Sequence, residues 1–496
     1  MIDCSVHWRA PGRTPGMSAP TTSALDPRRW FALAVVGAAF FMTILDVSIV
    51  NVALPTIARK LHFSEGNLQW VVTAYALTFG GFLLLGGRAA DLLGRRRIFI
   101  VGVALFSVAS LVCGLATSDG MLIAARAVQG LGGAIISPAA LSIVSTTFTE
   151  GAERNKALGI WGALGGSGAA VGVLLGGVLT KYAGWEWIFF VNVPVGAVVI
   201  LLAPRIIRES RVAKAVRRYD PLGAISITAG LALLVYAVSK APFVGWGTAR
   251  TILLLFASIA LVAAFLVIER RVREPLMPFS IFRVRTITGA NVVGILLGGV
   301  LFSNFFVLTL YVQGVLHYSA LKAGVTFVAT AGTAVIAAGV SQALVTRVGV
   351  KPILALGLLL LVGGMLWYTQ IPVNGSYASD LLPGYLLVGV GIAFAFVPVS
   401  IAALAGVEAN EAGLASGLIN TSQQIGGAIG VALASTVFTT HFDHKKFTPK
   451  LLTDGYALAF WVMVAFGIAA FVATLALVRR DELVEVPGTA PAPAGR

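Results

Sequence analysis

Charged side chains are scarce in this chain. Asp, Glu, Lys and Arg make up 11% of its 496 residues, whereas hydrophobic residues make up 57%. Soluble domains carry roughly 25% charged residues, because their surfaces must be hydrated. The scarcity excludes an ordinary soluble domain. Runs of about 20 apolar residues recur along the chain, so we predict an all-α, polytopic membrane protein.

Cysteine is also scarce. Cys4 lies in a Pro- and Gly-rich tail and Cys113 lies in an apolar segment. Two such cysteines supply neither a disulfide framework nor a zinc motif. His441 and His444 flank Asp443, but a hydrated loop is the favoured interpretation over a metal site. We therefore predict no metal and no cofactor.

Several functional classes lack their sequence signals. The chain has no nucleotide-binding P-loop, which disfavours an ATP-driven pump. No His, Asp or Cys residues cluster as a polytopic membrane enzyme would require. The formal net charge is +15, but the basic residues occupy short loops and form no stripe interleaved with aromatic residues. A nucleic-acid partner is therefore disfavoured.

Hydropathy predicts about 14 membrane spans, between residues 30 and 478. An even number of spans places both termini on one side of the bilayer. The tails and loops on that side hold 26 of the 36 Lys and Arg residues. Cytoplasmic loops carry the excess of basic residues. Both termini are therefore predicted to be cytoplasmic, with the protein in the cell inner membrane.

The chain repeats itself. Residues 61–64 (Leu-His-Phe-Ser) match residues 316–319 (Leu-His-Tyr-Ser), and the same offset carries Gly94 onto Gly349. Repeated halves of transporters enclose a site near the bilayer midplane and rock about it. We predict a cytoplasmic tail without fixed structure at residues 1–27 and an N-terminal half of six helices at residues 28–204. A basic loop with two extra peripheral helices is predicted at residues 205–285. A second half of six helices follows at residues 286–478, and a cytoplasmic tail at residues 479–496.

The first predicted span, residues 30–54, carries one carboxylate, Asp46. A charge well inside a span costs about 2.5–3.5 kcal/mol on insertion scales, so it normally faces protein or water. Either Asp46 reaches the interface near the helix end, or it is a proton or ligand site on a transport path. We favour the second interpretation. The other intramembrane charge, Arg126, either bonds backbone carbonyls, extends to an interface or has a functional partner.

A basic loop with three glycines follows the second span, GGRAADLLGRRR at residues 86–97. A plain topology-setting turn accounts for its arginines but not for its carboxylate. That carboxylate can pair with arginines in one conformation and separate from them in another. We favour such a conformational switch, at Gly87, Asp91, Gly94, Arg95 and Arg96.

These residues resemble the signature loop of the major facilitator superfamily. LDVSIVNVALP (45–55), RAVQG (126–130), WEWIFFVNVPVG (185–196) and YVQGVLHYSALKAGV (311–325) resemble motifs of its 14-helix drug:proton antiporter family. The resemblance implies two six-helix halves with two extra central helices. It also implies proton-coupled export of drugs or antibiotics across the cytoplasmic membrane by alternating access. Asp46 and Arg126 are then the proton-coupling residues.

The fifth helix departs from the family pattern. The family usually has Gly-Pro where this chain has Gly172-Val173. We expect the helix to lack a proline kink. Its small residues should still allow close packing against neighbouring helices, and they are Gly168, Gly172, Gly176 and Gly177. Export has been linked to that motif, so uptake or exchange of a metabolite remains an alternative function.

The predicted substrate cavity is lined by uncharged polar groups, for which the candidates are Asn51, Gln129, Asn304 and Gln423. Helix-packing hydrogen bonds are an equally good explanation for Asn304 and Gln423. We expect neutral, zwitterionic or monocationic amphipathic substrates, with protons and the lipid bilayer as further partners, and a monomeric protein.

Overall fold

A computed structural model describes residues 28–148, 152–210, 220–272, 275, 279–404, 412–441 and 448–479. The predicted tail of residues 1–27, residues 480–496 of the second tail, and Asp443 and His444 lie outside this described part. Within it the chain forms helices, with no strand. The helices are α1 (Arg29–Lys60), α2 (Glu65–Leu68), α3 (Trp70–Leu93), α4 (Arg95–Gly114), α5 (Asp119–Thr147), α6 (Ala152–Tyr182), α7 (Trp187–Phe190), α8 (Asn192–Ile206), α9 (Pro221–Val244), α10 (Ala249–Arg271), α11 (Arg285–Gly314), α12 (Ala320–Val348), α13 (Val350–Tyr368), α14 (Leu382–Ala402), α15 (Ala412–Thr440) and α16 (Pro449–Leu477).

Twelve helical segments in the described residues are long and apolar enough to cross a membrane. The chain is therefore a multi-pass membrane protein. The other two of the 14 predicted spans are α6 and α15, which are helices of 31 and 29 residues. Both belong to the bundle, since α6 packs against α1 and α12, and α15 packs against α11, α3 and α16.

The two extra helices occupy different environments. Helix α10 packs against α9 and exposes apolar side chains such as Leu253 and Phe256, as expected for a peripheral helix facing lipid. Helix α9 packs against both α3 and α15. Leu231 and Val235 of α9 share an apolar cluster with Leu77 of α3. Helix α9 therefore contacts both halves of the molecule.

The internal repeat is visible in the backbone. His62 and His317 are the two non-glycine residues of the described chain with positive φ, at 52° and 53°. Gly94 and Gly349 also share positive φ, at 115° and 95°, each between two consecutive helices. Glycine adopts this backbone region without strain. The matching turns show that the sequence repeat corresponds to a repeat of structure.

The two halves share an apolar core at one end of the molecule. We call the ends after the first and last residues of α1, the Arg29 end and the Lys60 end. Ile49 and Leu54 of α1 belong to the same buried cluster as Leu308 of α11. A separate cluster, whose buried members all lie between residues 32 and 207, fills the N-terminal half toward the Arg29 end.

A hydrogen bond also crosses between the halves toward the Lys60 end. Gln313 Nε2 in α11 donates to the carbonyl oxygen of Val52 in α1, at 2.7 Å. This bond and the common apolar core join the halves near the Lys60 end.

The glycines of α6 lie against two different helices. A Cβ atom on Gly168 would meet Ile44 at 3.0 Å, and one on Gly176 would meet the carbonyl oxygen of Ile49 at 2.8 Å, so both glycines face α1. A Cβ atom on Gly177 would instead lie 2.8 Å from the Cα atom of Leu321 in α12. Helix α6 therefore uses small residues to approach α1 in its own half and α12 in the other half.

The substitution Gly172→Val is expected to destabilise the protein. A Cβ atom at Gly172 would meet Ser48 Oγ and would lie 2.9 Å from the carbonyl oxygen of Leu45. Overpacking of this kind costs about 1–3 kcal/mol, measurable as a lower midpoint of thermal unfolding in detergent. Gly363→Val in α13 is the control, since a Cβ atom there meets no atom within 4 Å. Equal losses in both variants would contradict this account of the α1–α6 contact.

Candidate functional site

Asp46 lies in the interior of the N-terminal half and has no exposed surface. Its Oδ2 accepts a hydrogen bond from Arg126 Nη1 at 2.5 Å. Its Oδ1 accepts from Gln129 Nε2 at 2.7 Å and from Asn192 Nδ2 at 3.1 Å. The carboxylate therefore does not extend to an interface from the end of α1. A network of polar side chains surrounds it.

Arg126 is held from several sides. Its Nε donates to the carbonyl oxygen of Val71 at 2.9 Å, and its Nη1 also donates to Gln129 Oε1 at 2.7 Å. The guanidinium carbon lies 4.4 Å from the ring centroid of Tyr75, in a cation–π contact. Arg126 is only 1% exposed, which excludes an interfacial position. It both bonds a backbone carbonyl and pairs with the buried carboxylate.

Ser110 is a further member of this hydrogen-bonded network. Its Oγ accepts from Gln129 Nε2 at 3.1 Å and from Asn192 Nδ2 at 3.0 Å, and it donates to the carbonyl oxygen of Phe189 at 2.9 Å. The side chains of the network come from α1, α3, α4, α5 and α8. The hydrogen bonds among Asp46, Arg126, Gln129, Asn192 and Ser110 hold α1, α4, α5 and α8 together, as satisfied buried polar groups do.

The hydrogen bonds of Asp46 identify the protonation state that fits this arrangement. Its three partners, Arg126, Gln129 and Asn192, all donate to it. An ionised carboxylate only accepts, whereas a protonated carboxyl group must place its own O–H donor. A proton on Oδ2 would face the Arg126 donor, a proton on Oδ1 would face Gln129 and Asn192, and either would leave the charge of Arg126 uncompensated. An ionised Asp46 therefore fits the three hydrogen bonds that it accepts.

The four candidate cavity residues differ in their hydrogen bonding. Gln129 belongs to the Asp46 network, where both ends of its amide are hydrogen-bonded. Asn51 Nδ2 donates to the carbonyl oxygen of Val47 at 2.8 Å. Asn51 Oδ1, Asn304 Oδ1 and Gln423 Nε2 are buried and make no hydrogen bond within the described part of the chain.

Three members of the network were not among the candidates from the sequence. Asn192 stands inside the WEWIFFVNVPVG motif, where a lone amide in an apolar span is a usable signal. Tyr75 is 1% exposed and provides the ring under Arg126. Ser110 carries no such signal, because serine is common in membrane helices and its hydroxyl can bond the backbone of its own helix.

The candidate switch residues form a second polar cluster, at the Arg29 end. Helix α3 ends at Leu93, and Gly94 makes the turn into α4. Asp91 Oδ1 accepts from Arg95 Nε and Nη2, at 2.9 and 2.8 Å, and from Ser142 Oγ of α5 at 3.3 Å. A Cβ atom on Gly87 would lie 3.2 Å from Pro138, so α3 also lies close to α5 at this end.

The segment after α8 binds the same loop. The backbone N–H of Arg96 donates to Glu209 Oε1 at 3.1 Å. Arg96 Nη1 donates to the carbonyl oxygens of Pro204 and Ile207, at 3.3 and 3.2 Å. Arg96 thus contacts the start of the basic connection between the halves rather than Asp91. The described residues contain no group of three or more His, Cys, Asp or Glu side chains placed to hold a metal.

A double-mutant cycle is expected to show strong coupling between Asp46 and Arg126. Removing one partner of a buried ion pair typically costs about 3–5 kcal/mol, because the other charge is left uncompensated. Asp46→Asn and Arg126→Gln should each lower the midpoint of thermal unfolding. The double variant should lose much less than the sum of the two single losses.

Arg29 and Glu153 provide a matched control pair. Arg29 Nη2 lies 2.8 Å from Glu153 Oε1, with side chains 17% and 37% exposed. The cycle of Arg29→Gln and Glu153→Gln should give a smaller coupling, because both of these side chains keep part of their surface in solvent. Additive losses for Asp46 and Arg126 would contradict an energetically important buried pair.

Comparison with known proteins agrees with this architecture. The chain matches the Major Facilitator Superfamily over residues 36–431. It is 41% identical to the puromycin resistance protein pur8 of Streptomyces alboniger, over 95% of this chain and 96% of that protein. It is 37% identical to the cephamycin export protein CmcT of Amycolatopsis lactamdurans, over 94% of this chain and 93% of that protein. The solved structure of the nucleoside transporter NupG shares the fold, with a TM-score of 0.63 at 12% identity over 90% of this chain and 100% of that one. The chain is a member of the Major Facilitator Superfamily of membrane transporters.

Proposed function

We propose that this protein exports amphipathic drugs or antibiotics across the cytoplasmic membrane in exchange for protons. The names of its relatives, a puromycin resistance protein and a cephamycin export protein, support the substrate class. The observation that carries the proton coupling is the buried Asp46 carboxylate, whose three described partners are all donors. The excess of basic residues on the Arg29 side supports cytoplasmic termini.

Asp46 binds and releases the transported proton. In the ionised state its charge is balanced by Arg126, which makes the buried carboxylate tolerable in a medium of low dielectric constant. A proton arriving from outside removes that charge and breaks the set of hydrogen bonds around it. Moving one charge through the membrane field is worth about 2.3 kcal/mol per 100 mV. One or two protons therefore provide enough free energy for a substantial substrate gradient.

The packing of the halves supports a place for this structure in the transport cycle. The shared core and the Gln313–Val52 bond lie toward the Lys60 end, which is the outer end in this proposal. We assign this arrangement to a state closed to the outside. An ionised Asp46 paired with Arg126 fits that state, because an antiporter has released its proton to the cytoplasm before it takes up substrate from there.

The substrate lies between the halves in this proposal. Asn51, Asn304 and Gln423 each have a buried polar atom that makes no hydrogen bond within the described residues, and such atoms favour a polar ligand. The stacked rings of Phe40 and Trp161, 3.9 Å apart, offer an aromatic surface. No acidic residue occurs in α11 to α15, which favours neutral or singly charged substrates over divalent cations.

Transport in inside-out membrane vesicles tests the proposal. An imposed pH gradient, acidic inside, should drive accumulation of ethidium or puromycin, and a protonophore should abolish it. Asp46→Asn should reduce accumulation to that of vesicles without the protein, because the amide cannot exchange a proton. Asp454→Asn is the control, since this carboxylate lies exposed in α16. Accumulation only in right-side-out vesicles would instead indicate uptake, and accumulation that survives the protonophore would contradict proton coupling.

We further propose that Asp91 controls the change between conformations. Its contacts with Arg95 and Ser142 join α3, α4 and α5 at the Arg29 end. Asp91→Asn should lower the transport rate while leaving equilibrium binding of ethidium unchanged, because the charge lies at the opposite end of the helices from Asp46. Transport rate in vesicles and fluorescence titration of purified protein measure the two effects. Equal loss of binding and rate would contradict a switching role.

A further inference from the structure

Helix α9 carries one charged residue, Lys240, near its last residue. A lysine in a membrane span is costly to bury, so it normally reaches water or a polar partner. Lys240 Nζ donates a hydrogen bond to Asn67 Oδ1, at 2.9 Å. Asn67 belongs to α2, the short helix that follows α1 at the Lys60 end. This contact therefore joins the end of α9 to the N-terminal half.

The amide of Asn67 connects Lys240 to the start of α5. Asn67 Nδ2 donates to Asp119 Oδ2 at 3.1 Å, and Asp119 is the first residue of α5. The amide thus has a cation at its oxygen and a carboxylate at its nitrogen, and both hydrogen bonds are charge-assisted. The other oxygen of Asp119 accepts from the backbone N–H of Gly120 at 2.7 Å. We call Lys240, Asn67 and Asp119 the Lys240 bridge.

The same stretch of α9 is bound to the C-terminal half. Thr436 Oγ1 of α15 donates to the carbonyl oxygen of Val238 in α9, at 3.3 Å. Val235 of α9 also shares a buried apolar cluster with Ala432 of α15. The end of α9 therefore contacts α15 directly and contacts α5 through the Lys240 bridge. Separation of the two halves at the Lys60 end requires that one of these contacts breaks.

The start of α5 is also close to the buried ion pair. Arg126, which bonds Asp46, lies about 10 Å along α5 from Asp119, at 1.5 Å per residue. A contact that holds Asp119 therefore restrains the segment of α5 that carries Arg126. Lys240 acts on this segment only through Asn67, so its role is one of positioning.

We propose that α9 is a latch that keeps the Lys60 end closed, with Lys240 as its positioning residue. The Lys240 bridge holds α5 of the N-terminal half to α9, and α9 is held to α15 of the C-terminal half. Loss of the bridge lets the Lys60 end open more often. This inference rests on the alternating opening of the two ends in the proposed function, but not on the substrate or on the driving ion.

Alkylation of a cysteine between the halves tests the latch in the purified full-length protein. Val312 of α11 has no exposed surface and precedes Gln313, whose side chain bonds α1 across the halves. In a background of Cys4→Ser and Cys113→Ser, the rate at which Val312→Cys reacts with a water-soluble maleimide measures how often the Lys60 end opens. Lys240→Met should raise this rate about tenfold, because a hydrogen bond from a charged donor is lost.

Two controls separate a latch from a contact that only stabilises the fold. Lys181→Met removes the same charge from an exposed side chain at the Lys60 end of α6 and should leave the rate unchanged. Val103→Cys, in the core of the N-terminal half, should react slowly with or without Lys240→Met. An unchanged rate at Val312→Cys would overturn the proposal. Equal acceleration at Val103→Cys, or equal acceleration by Lys181→Met, would also overturn it.

Asp119→Asn tests the bridge from its other end, and it replaces Lys240→Met if that variant does not fold. It should raise the rate at Val312→Cys by a similar factor. The double variant Lys240→Met/Asp119→Asn should react no faster than the faster single variant, because both charges act through the same amide. Accelerations that multiply would contradict the bridge.

Thr436→Val removes the hydrogen bond between α15 and α9 and should raise the alkylation rate about threefold, as expected for a neutral hydrogen bond. An unchanged rate would contradict the link to the C-terminal half. Alkylation requires neither a drug nor a proton gradient. Failure of the latch is therefore distinguishable from failure of the proposed exchange, which the vesicle measurements test separately.

Discussion

The structure of the N-terminal half depends on one buried ion pair, between Asp46 and Arg126. Two unpaired charges at this depth would be too costly to bury, so the helices that carry them must keep the pair together. The surrounding packing allows this closeness: a Cβ atom on Gly133 of α5 would lie 2.9 Å from Tyr75 Oη. Small residues on α5 thus let α3 approach closely enough for the Tyr75 ring to cover the guanidinium group. The polar network and the close helix packing together compensate for the cost of removing the two charges from water.

The C-terminal half repeats the backbone without repeating this chemistry. The position that corresponds to Asp46 is Leu301, so the second half needs no buried cation. Its interior contains tyrosines whose hydroxyl groups find local partners: Tyr385 Oη lies 3.0 Å from Thr326 Oγ1, and Tyr311 Oη donates to the carbonyl oxygen of Pro372 at 2.6 Å. The duplicated helices form two scaffolds, one holding an ionisable network and the other an aromatic core. In the proposed exchange of substrate for protons, this asymmetry lets one half respond to protons while the other shapes the substrate path.

Hydropathy, charge distribution and the internal repeat were sufficient to predict the helical fold, because they depend on local composition and on motifs with fixed spacing. They were also sufficient to identify Asp46 and Arg126 as unusual, since a charge in an apolar run is visible without a structure. The direct contact between them was not predictable, because 80 residues separate them in sequence. For the same reason, the sequence did not reveal that Gln129, a candidate cavity residue, bonds both Asp46 and Arg126. The uniform hydrophobicity of α9 likewise does not reveal that this helix contacts both halves.

The two polar clusters lie at opposite ends of the same two helices. Helix α4 carries Ser110 near one end and Arg95 at the other, and α5 carries Arg126 near one end and Ser142 near the other. These helices pack tightly between the clusters, since a Cβ atom on Gly102 of α4 would lie 2.8 Å from Ile135 of α5. Closely packed helices shift as units rather than bend continuously. In the proposed cycle, protonation of Asp46 releases Arg126 and Gln129 at one end of α5. A displacement of α5 then changes the distance between Ser142 and Asp91 at the other end. In this proposal, the pairing of helices α4 and α5 provides a physical route from proton binding at Asp46 to the loop that contains Asp91.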